Sequence, residues 1–307
     1  MTPTLICPQD KSTLDFLDGY YLCPSCRRRY PVRDGVVCML DEPDGFYEGA
    51  YGNQIQFIPR SEKPSHVWPL WLINSGYVWA VRKAVPAGAT VVELGCAGGV
   101  RYFGQRYRMI GCDLSWAALK TLDFYPTRIQ TDAARCIALP DGSVDAVISS
   151  FFWEHIPPEV KPEILRECWR ILKPNGKLIF LYDVETDNPL IRKYKNRNPA
   201  LYRKLFLDDD GHLGYQWPSE NIAMFKSAGF LIDEHRGLEK TSVQGSSVYI
   251  KLAQFPGGGH LKAFSHLGSH RWFYLWTALT RIVDAIFCPV LPEQWARIDR
   301  IILVKQF

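Results

Sequence analysis

The segment ATVVELGCAGG, residues 89–99, constrains this chain more than any other. An apolar, β-branched run that stops on Gly95, Gly98 and Gly99 reads as a strand ending in a tight turn that hands over to a helix. The pattern then repeats. Strands are expected at RMIGCD (108–113), TRIQTD (127–132), VDAVISS (144–150) and GKLIFLYD (176–183). Helices are expected around 70–85, at 115–124 and at 158–172, with turns at Pro140-Asp141-Gly142-Ser143 and Lys173-Pro174-Asn175-Gly176. Such alternation predicts an α/β domain with a mostly parallel sheet.

In sheets of this kind ligands bind beyond the carboxyl ends of the strands. Three acids stand there: Glu93, Asp113 and Asp132. Asp113 lies about 20 positions beyond the glycine turn, the place where an acceptor can fix a pair of ribose hydroxyls. A dehydrogenase would want G-x-G-x-x-G, whereas the loop reads G-C-A-G-G.

The ordered set VVELGCAGG, IGCDLS, TDAARCIALPDGSVDAVISS, EHI and ILKPNGKLIF resembles the UbiE-type branch of class I S-adenosyl-L-methionine-dependent methyltransferases over residues 88–184. The resemblance implies a Rossmann-like sheet with an antiparallel last strand. It implies that Glu93, Gly95, Ala97 and Gly99 shape the pocket for the methionine part of the cofactor. Asp113 would bind the ribose hydroxyls and Asp132 with Ala133 the adenine, with Leu114 and Ser150 completing the set. Ala97 departs from the family, which usually has glycine there.

Four of the nine cysteines lie in the first forty residues. Cys23-Pro-Ser-Cys26 is a C-x-x-C knuckle able to grip tetrahedral Zn2+, and Cys7-Pro-Gln-Asp10 repeats its shape with a carboxylate in the last place. Cys38 is a rival for the fourth ligand. So short a segment buries little core, and a metal would supply folding energy. With YPVRDGVV (30–37), the pattern resembles the zinc-ribbon-like domain related to the tRNA-methyltransferase activator family, often found before methyltransferase domains. Its role is expected to be structural.

Hydrophobic residues make up 47% and charged residues 22% of the 307, and the net charge is +4, too mild to demand a nucleic-acid partner. The N-terminus lacks the features of a signal peptide, and a reducing cytoplasm is expected to keep the scattered cysteines as thiols. No transmembrane helix is expected, because the apolar stretch within 272–287 is interrupted at Arg281. The expected organisation is a zinc-ribbon-like module at 1–45, a linker and lead-in helix at 46–87, and a methyltransferase domain at 88–307 with an insertion at about 240–296.

The acceptor is less legible. The loop Ser149 to His155 lacks the Asn/Asp-Pro-Pro-Tyr/Phe signature of exocyclic amine and amide methylation. Two histidines are candidate bases, His155 in the EHI motif and His212 ahead of a helix start at Ser219-Glu220. Residues 191–204 carry six basic side chains with interleaved tyrosines, either a solvated lid or a contact to an anionic acceptor. Strands are expected at 229–239 and 299–307, and the sixty residues between them exceed an ordinary connection. There a helix at 271–288 is expected to pack on the domain by its apolar face, to lid a greasy acceptor, or to lie on a membrane surface. The function expected is O- or C-methylation of a small or lipid- or glycosyl-linked metabolite, in the cytoplasm or peripheral to the inner membrane face. The alternatives are an RNA (rRNA base) methyltransferase and a non-catalytic binding protein of the same fold.

Overall fold

The computed structural model describes residues 3–41, 75–265 and 272–306, with Gly45 and Gly49 besides. Most of the linker expected over 46–87 lies outside the described residues. Of the lead-in helix, Tyr77–Ala84 is described.

The central sheet is built from β5 (Thr90–Leu94), β6 (Arg108–Asp113), β7 (Thr127–Gln130), β8 (Val144–Ser150), β9 (Leu172–Asp183), β10 (Phe230–Leu238) and β11 (Ile298–Lys305). Their order is β7-β6-β5-β8-β9-β11-β10. The first five run parallel, and β11 runs antiparallel to both of its neighbours. β5, β8 and the second half of β9 are rich in buried apolar residues because both faces of the sheet are covered there. Val92, Leu94, Ile110, Val147, Leu178 and Phe180 fill the core on one face. Their neighbours Val91, Met109, Ala146, Ile148, Ile179 and Leu181 fill the other.

Each expected strand is present within a few residues. The helix expected at 115–124 contracts to Trp116–Leu119. Ser115 caps it through its hydroxyl, which accepts the Ala118 N–H at 3.1 Å. Pro126 disfavours helical backbone at Tyr125, so the chain turns early into β7.

The N-terminal residues are joined to the central sheet more closely than a separate module would require. β1 (Asp15–Leu17), β2 (Tyr20–Leu22), β3 (Arg29–Arg33) and β4 (Val36–Cys38) form an antiparallel meander. β4 then pairs parallel with β7, Val37 opposite Ile129 and Cys38 opposite Gln130, giving one sheet of eleven strands. The Ile6 N–H donates to the Ala138 carbonyl at 3.1 Å, and the Trp116 indole to the Arg33 carbonyl at 3.3 Å. Leu5, Leu14, Tyr30, Val37 and Met39 share the core of Val92 and Ile110.

A helical cap covers one end of the sheet. Helices Pro189–Arg197 and Pro199–Arg203 pack on helix Ser246–Leu252 and the turn at Leu261 through Ile191, Tyr194, Tyr202, Val248 and Leu252, with Trp276 against them. The last cap helix, Trp272–Phe287, overturns one expectation: its polar stripe faces inward and its apolar stripe faces out. The cause is a buried charge network at Glu239 that claims Arg281 and Asp284.

Candidate functional site

A cavity of about 210 Å³ opens at the carboxyl ends of β5, β6, β7 and β8. Gly95, Ala97, Asp113, Leu114, Asp132 and Ala133 line it, together with Phe151, Phe152, His155, Ile156, Pro157, Val160 and Ile164. The lining therefore combines turns and carboxylates with a largely apolar set of side chains.

The turn after β5 is forced by close packing. Gly95 has φ +59°, and a Cβ there would meet the Phe152 ring at 2.4 Å. Ala97 also sits at positive φ, +22°, a conformation that strains a residue with a Cβ. Asp113 closes the turn from β6: its Oδ2 accepts the Ala97 N–H at 3.0 Å and its Oδ1 accepts the Ser115 N–H at 2.9 Å. A carboxylate has about four acceptor sites, so one side chain can accept from several donors at once. At the end of β7, Asp132 accepts the Ala134 N–H at 2.9 Å.

Three residues of the expected cofactor set stand outside the lining. Glu93 is buried behind the turn, where it accepts the phenolic hydrogen of Tyr125. Burial pushes its carboxyl up to about 8, with the Asp113 charge adding to the shift and the Tyr125 hydrogen bond opposing it. Gly99 abuts Leu122, Phe124 and Tyr125. Ser150 lies at the end of β8, half-buried.

The two candidate bases prove to be neighbours. His155 lines the cavity, and its Nδ1 donates to the Gly211 carbonyl at 3.0 Å. Since a carbonyl only accepts, the proton is on Nδ1, and in the neutral ring Nε2 carries the lone pair. His212 stands one ring behind, 5.0 Å from His155 edge to face and 5.3 Å from Tyr215 in a stack. Burial lowers the pKa of both.

What holds this loop was not visible in the sequence. The Gly214 N–H donates to the Glu154 carbonyl at 2.8 Å, and a Cβ at Gly214 would meet the Ile156 carbonyl oxygen at 1.8 Å. Buried Lys161 donates to the Gly214 carbonyl, Gln216 and Asn221 at 2.8, 2.8 and 3.3 Å. Burial pulls its pKa down to about 7. Glu154 is buried, and its carboxyl is pushed well up by burial and by Asp183.

In the N-terminal knuckles, Cys7, Asp10, Cys23 and Cys26 each bring one ligand atom within 4.8 Å of the others. Cys7 Sγ and Cys26 Sγ are 3.6 Å apart, and Cys23 Sγ is 3.3 Å from Asp10 Oδ2. A zinc–sulfur distance of about 2.3 Å gives a tetrahedron edge of roughly 3.7 Å, and these two separations are close to it. Cys38 is not the fourth donor. It is buried in β4, with its Sγ 3.7 Å from the Val36 carbonyl.

Residues 92–180 match the family model described as a methyltransferase domain, and residues 1–35 match that of Trm112p-like protein. The 2-methyl-6-phytyl-1,4-hydroquinone methyltransferase of Synechocystis sp. is 27% identical over 52% of this chain and 54% of its own length. A ubiquinone biosynthesis O-methyltransferase of Cupriavidus pinatubonensis is 29% identical over 59% of this chain and 74% of its own. A tRNA N(3)-methylcytidine methyltransferase of Drosophila melanogaster is 23% identical over 55% and 58%. The chain thus spans little more than half the length of the first of these relatives. Among solved structures, phosphoethanolamine N-methyltransferase 2 of Haemonchus contortus, in complex with S-adenosyl-L-methionine, is similar with a TM-score of 0.51, 16% identity, and coverage of 91% of this chain and 62% of that one. At that identity the likeness shows the fold.

Proposed function

We propose that this chain, a methyltransferase domain behind a Trm112p-like module, transfers a methyl group from S-adenosyl-L-methionine to a small, largely apolar or lipid-linked acceptor. One observation carries the reading: a single cavity joins the Asp113-clamped turn to an apolar wall that contains His155. The cofactor would supply an electrophilic methyl on a sulfonium. Asp113 and Leu114 would hold its ribose, Asp132 and Ala133 its adenine, and the Gly95–Gly99 turn, with Glu93 behind it, its methionine part.

The chain's own contribution is positioning, exclusion of water and one proton. Phe151, Phe152, Ile156 and Val160 would seat the acceptor and keep the cavity dry. His155 would take the acceptor proton at Nε2, with Gly211 fixing the tautomer and His212 buttressing the ring. A hydroxyl acceptor suits such a base, and one of the relatives above is named a ubiquinone biosynthesis O-methyltransferase. The tRNA methyltransferase relative keeps an RNA acceptor as the second reading, and the exposed Arg192, Lys193 and Arg197 favour an anionic ligand of some kind.

We also propose that Cys7, Asp10, Cys23 and Cys26 hold a structural Zn2+, because the donors fit a tetrahedron and no open position is implied. None of the nine cysteines is in a disulfide, which supports a reducing, cytoplasmic setting. No helix among the described residues is long and apolar enough to cross a membrane.

The test is an acceptor screen with labelled cofactor, using ubiquinol-precursor-like phenols, lipid extracts and RNA side by side. Label transferred to a small phenol or lipid, and lost in His155→Gln, supports the reading. Label confined to RNA replaces it with the second.

A further inference from the structure

We infer that the helix Trp272–Phe287 is a docking face for an anionic lipid bilayer, an inference that stands apart from the methyl-transfer reading. An amphipathic helix ordinarily buries its apolar stripe. This one does the reverse. Arg281 is buried against Glu239 at 3.1 Å and Asp284 at 3.1 Å, and Asp284 accepts the Glu239 N–H at 3.0 Å. Arg297 completes the network on Glu239 at 2.8 Å. The helix is fastened to the protein by its charges, so its apolar side is presented outward.

That side is regular. Trp272, Leu275, Leu279, Ile282 and Ile286 recur at spacings of three and four, and their exposures run from 44% to 61%. Sixteen residues at about 1.5 Å each make a stripe of roughly 24 Å. Phe264, on the neighbouring turn of the cap, is also exposed and lies 6.1 Å from the Trp276 ring. Contiguous apolar surface on this scale marks an interaction site.

Charge decides between occupants. A second helix would be expected to find charged residues beside the stripe to set partner and register. Here those positions are Trp276, Ala278, Val283 and Ala285, none of them charged. Between Ser246 and Pro292 the sequence has one acidic residue, buried Asp284, against Lys251, Lys262, Arg271 and Arg281. The same cap exposes Arg192, Lys193, Arg197, Arg203 and Lys204. Two of the nearby acids are paired, Asp208 with Arg203 and Asp210 with Lys251, and Asp209 is exposed, so the exposed cations Arg192, Lys193, Arg197 and Lys204 still outnumber it. An uncharged apolar stripe with tryptophan at one end, on a cap rich in exposed cations, matches a surface of acyl chains beneath anionic headgroups.

The experiment is sedimentation of the full chain with phosphatidylcholine vesicles and with vesicles that also contain phosphatidylglycerol. The expected result is binding to the anionic vesicles, weakened by salt, and falling about tenfold or more in the Leu275→Gln/Ile282→Gln double variant. Both positions are exposed, so the variant should melt like the parent. S-adenosyl-L-methionine titration of the same samples reads the methyl-transfer proposal separately. Protein that stays in the supernatant with both vesicle types overturns the inference, as does a double variant that binds equally well. A wild-type dimer split by the double variant, without vesicle binding, would assign the face to a second copy instead.

Discussion

The carboxylate of Asp113 accepts the backbone N–H of Ala97 at 3.0 Å, so the end of β6 fixes the turn that follows β5. On the proposed cofactor reading, affinity for the nucleoside part of the cofactor and stability of the turn are coupled at this one side chain. The coupling makes the backbone of that turn a sensitive place to test.

Gly95 and Ala97 should respond oppositely to exchange. Gly95→Ala adds a Cβ at φ +59° against the Phe152 ring and should cost about 1–3 kcal/mol. Ala97→Gly relieves a positive φ and should be neutral or stabilising by up to about 1 kcal/mol. Denaturant unfolding of both variants checks the pair.

Glu93 predicts a pH dependence of stability. Its folded pKa, raised by burial to about 8, exceeds the usual carboxyl value of about 4.3 in the unfolded chain. Between those values the folded state binds more protons than the unfolded state, so this group's contribution is complete at low pH and is lost as pH rises toward 8. Glu93→Gln should remove that decline. At pH 8 the melting temperature of the variant should rise relative to wild type by at least about 2–4 °C.

His155 and His212 should separate in kinetics. Replacing the base should lower kcat by about 10²–10⁴ and leave cofactor affinity nearly unchanged. His155→Gln is therefore expected to lose turnover, whereas His212→Ala should lose less, since it acts through the neighbouring ring. Burial lowers the pKa of His155, so kcat should rise with pH along a limb centred below about 6.5. Equal turnover in wild type and His155→Gln would remove it from the mechanism.

Metal analysis separates the cysteines. Cys23→Ser should lose bound zinc, and Cys38→Ser should keep it, because Cys38 is committed to β4. Loss of the metal should also loosen β4 from β7, uncovering a sheet edge and promoting self-association. Light scattering after chelation reads that effect.

Much of this molecule is written locally. The apolar run ending on Gly95 and the alternation of strand-like and helical segments announce the sheet, and Asp113 and Asp132 at strand ends mark the mouth of the cavity, because these signals lie within a few residues. What stayed hidden depends on partners far away in the chain. Val36, Val37 and Cys38 read as a short strand, but nothing near them names Ile129 and Gln130 as the edge they join. Arg281 and Asp284 mark the polar stripe of an amphipathic helix, yet which stripe turns inward is decided by Glu239, some forty residues earlier. His155 and His212 each looked like a base alone; the Gly211 carbonyl and the tight approach of Gly214 bring them together.

Calorimetric titration of the purified chain with S-adenosyl-L-methionine and S-adenosylhomocysteine, comparing wild type with Asp113→Ala, tests the central claim most directly. The account predicts saturable binding by wild type and its loss in a variant that still folds. Folded wild-type protein that takes up neither ligand would contradict it.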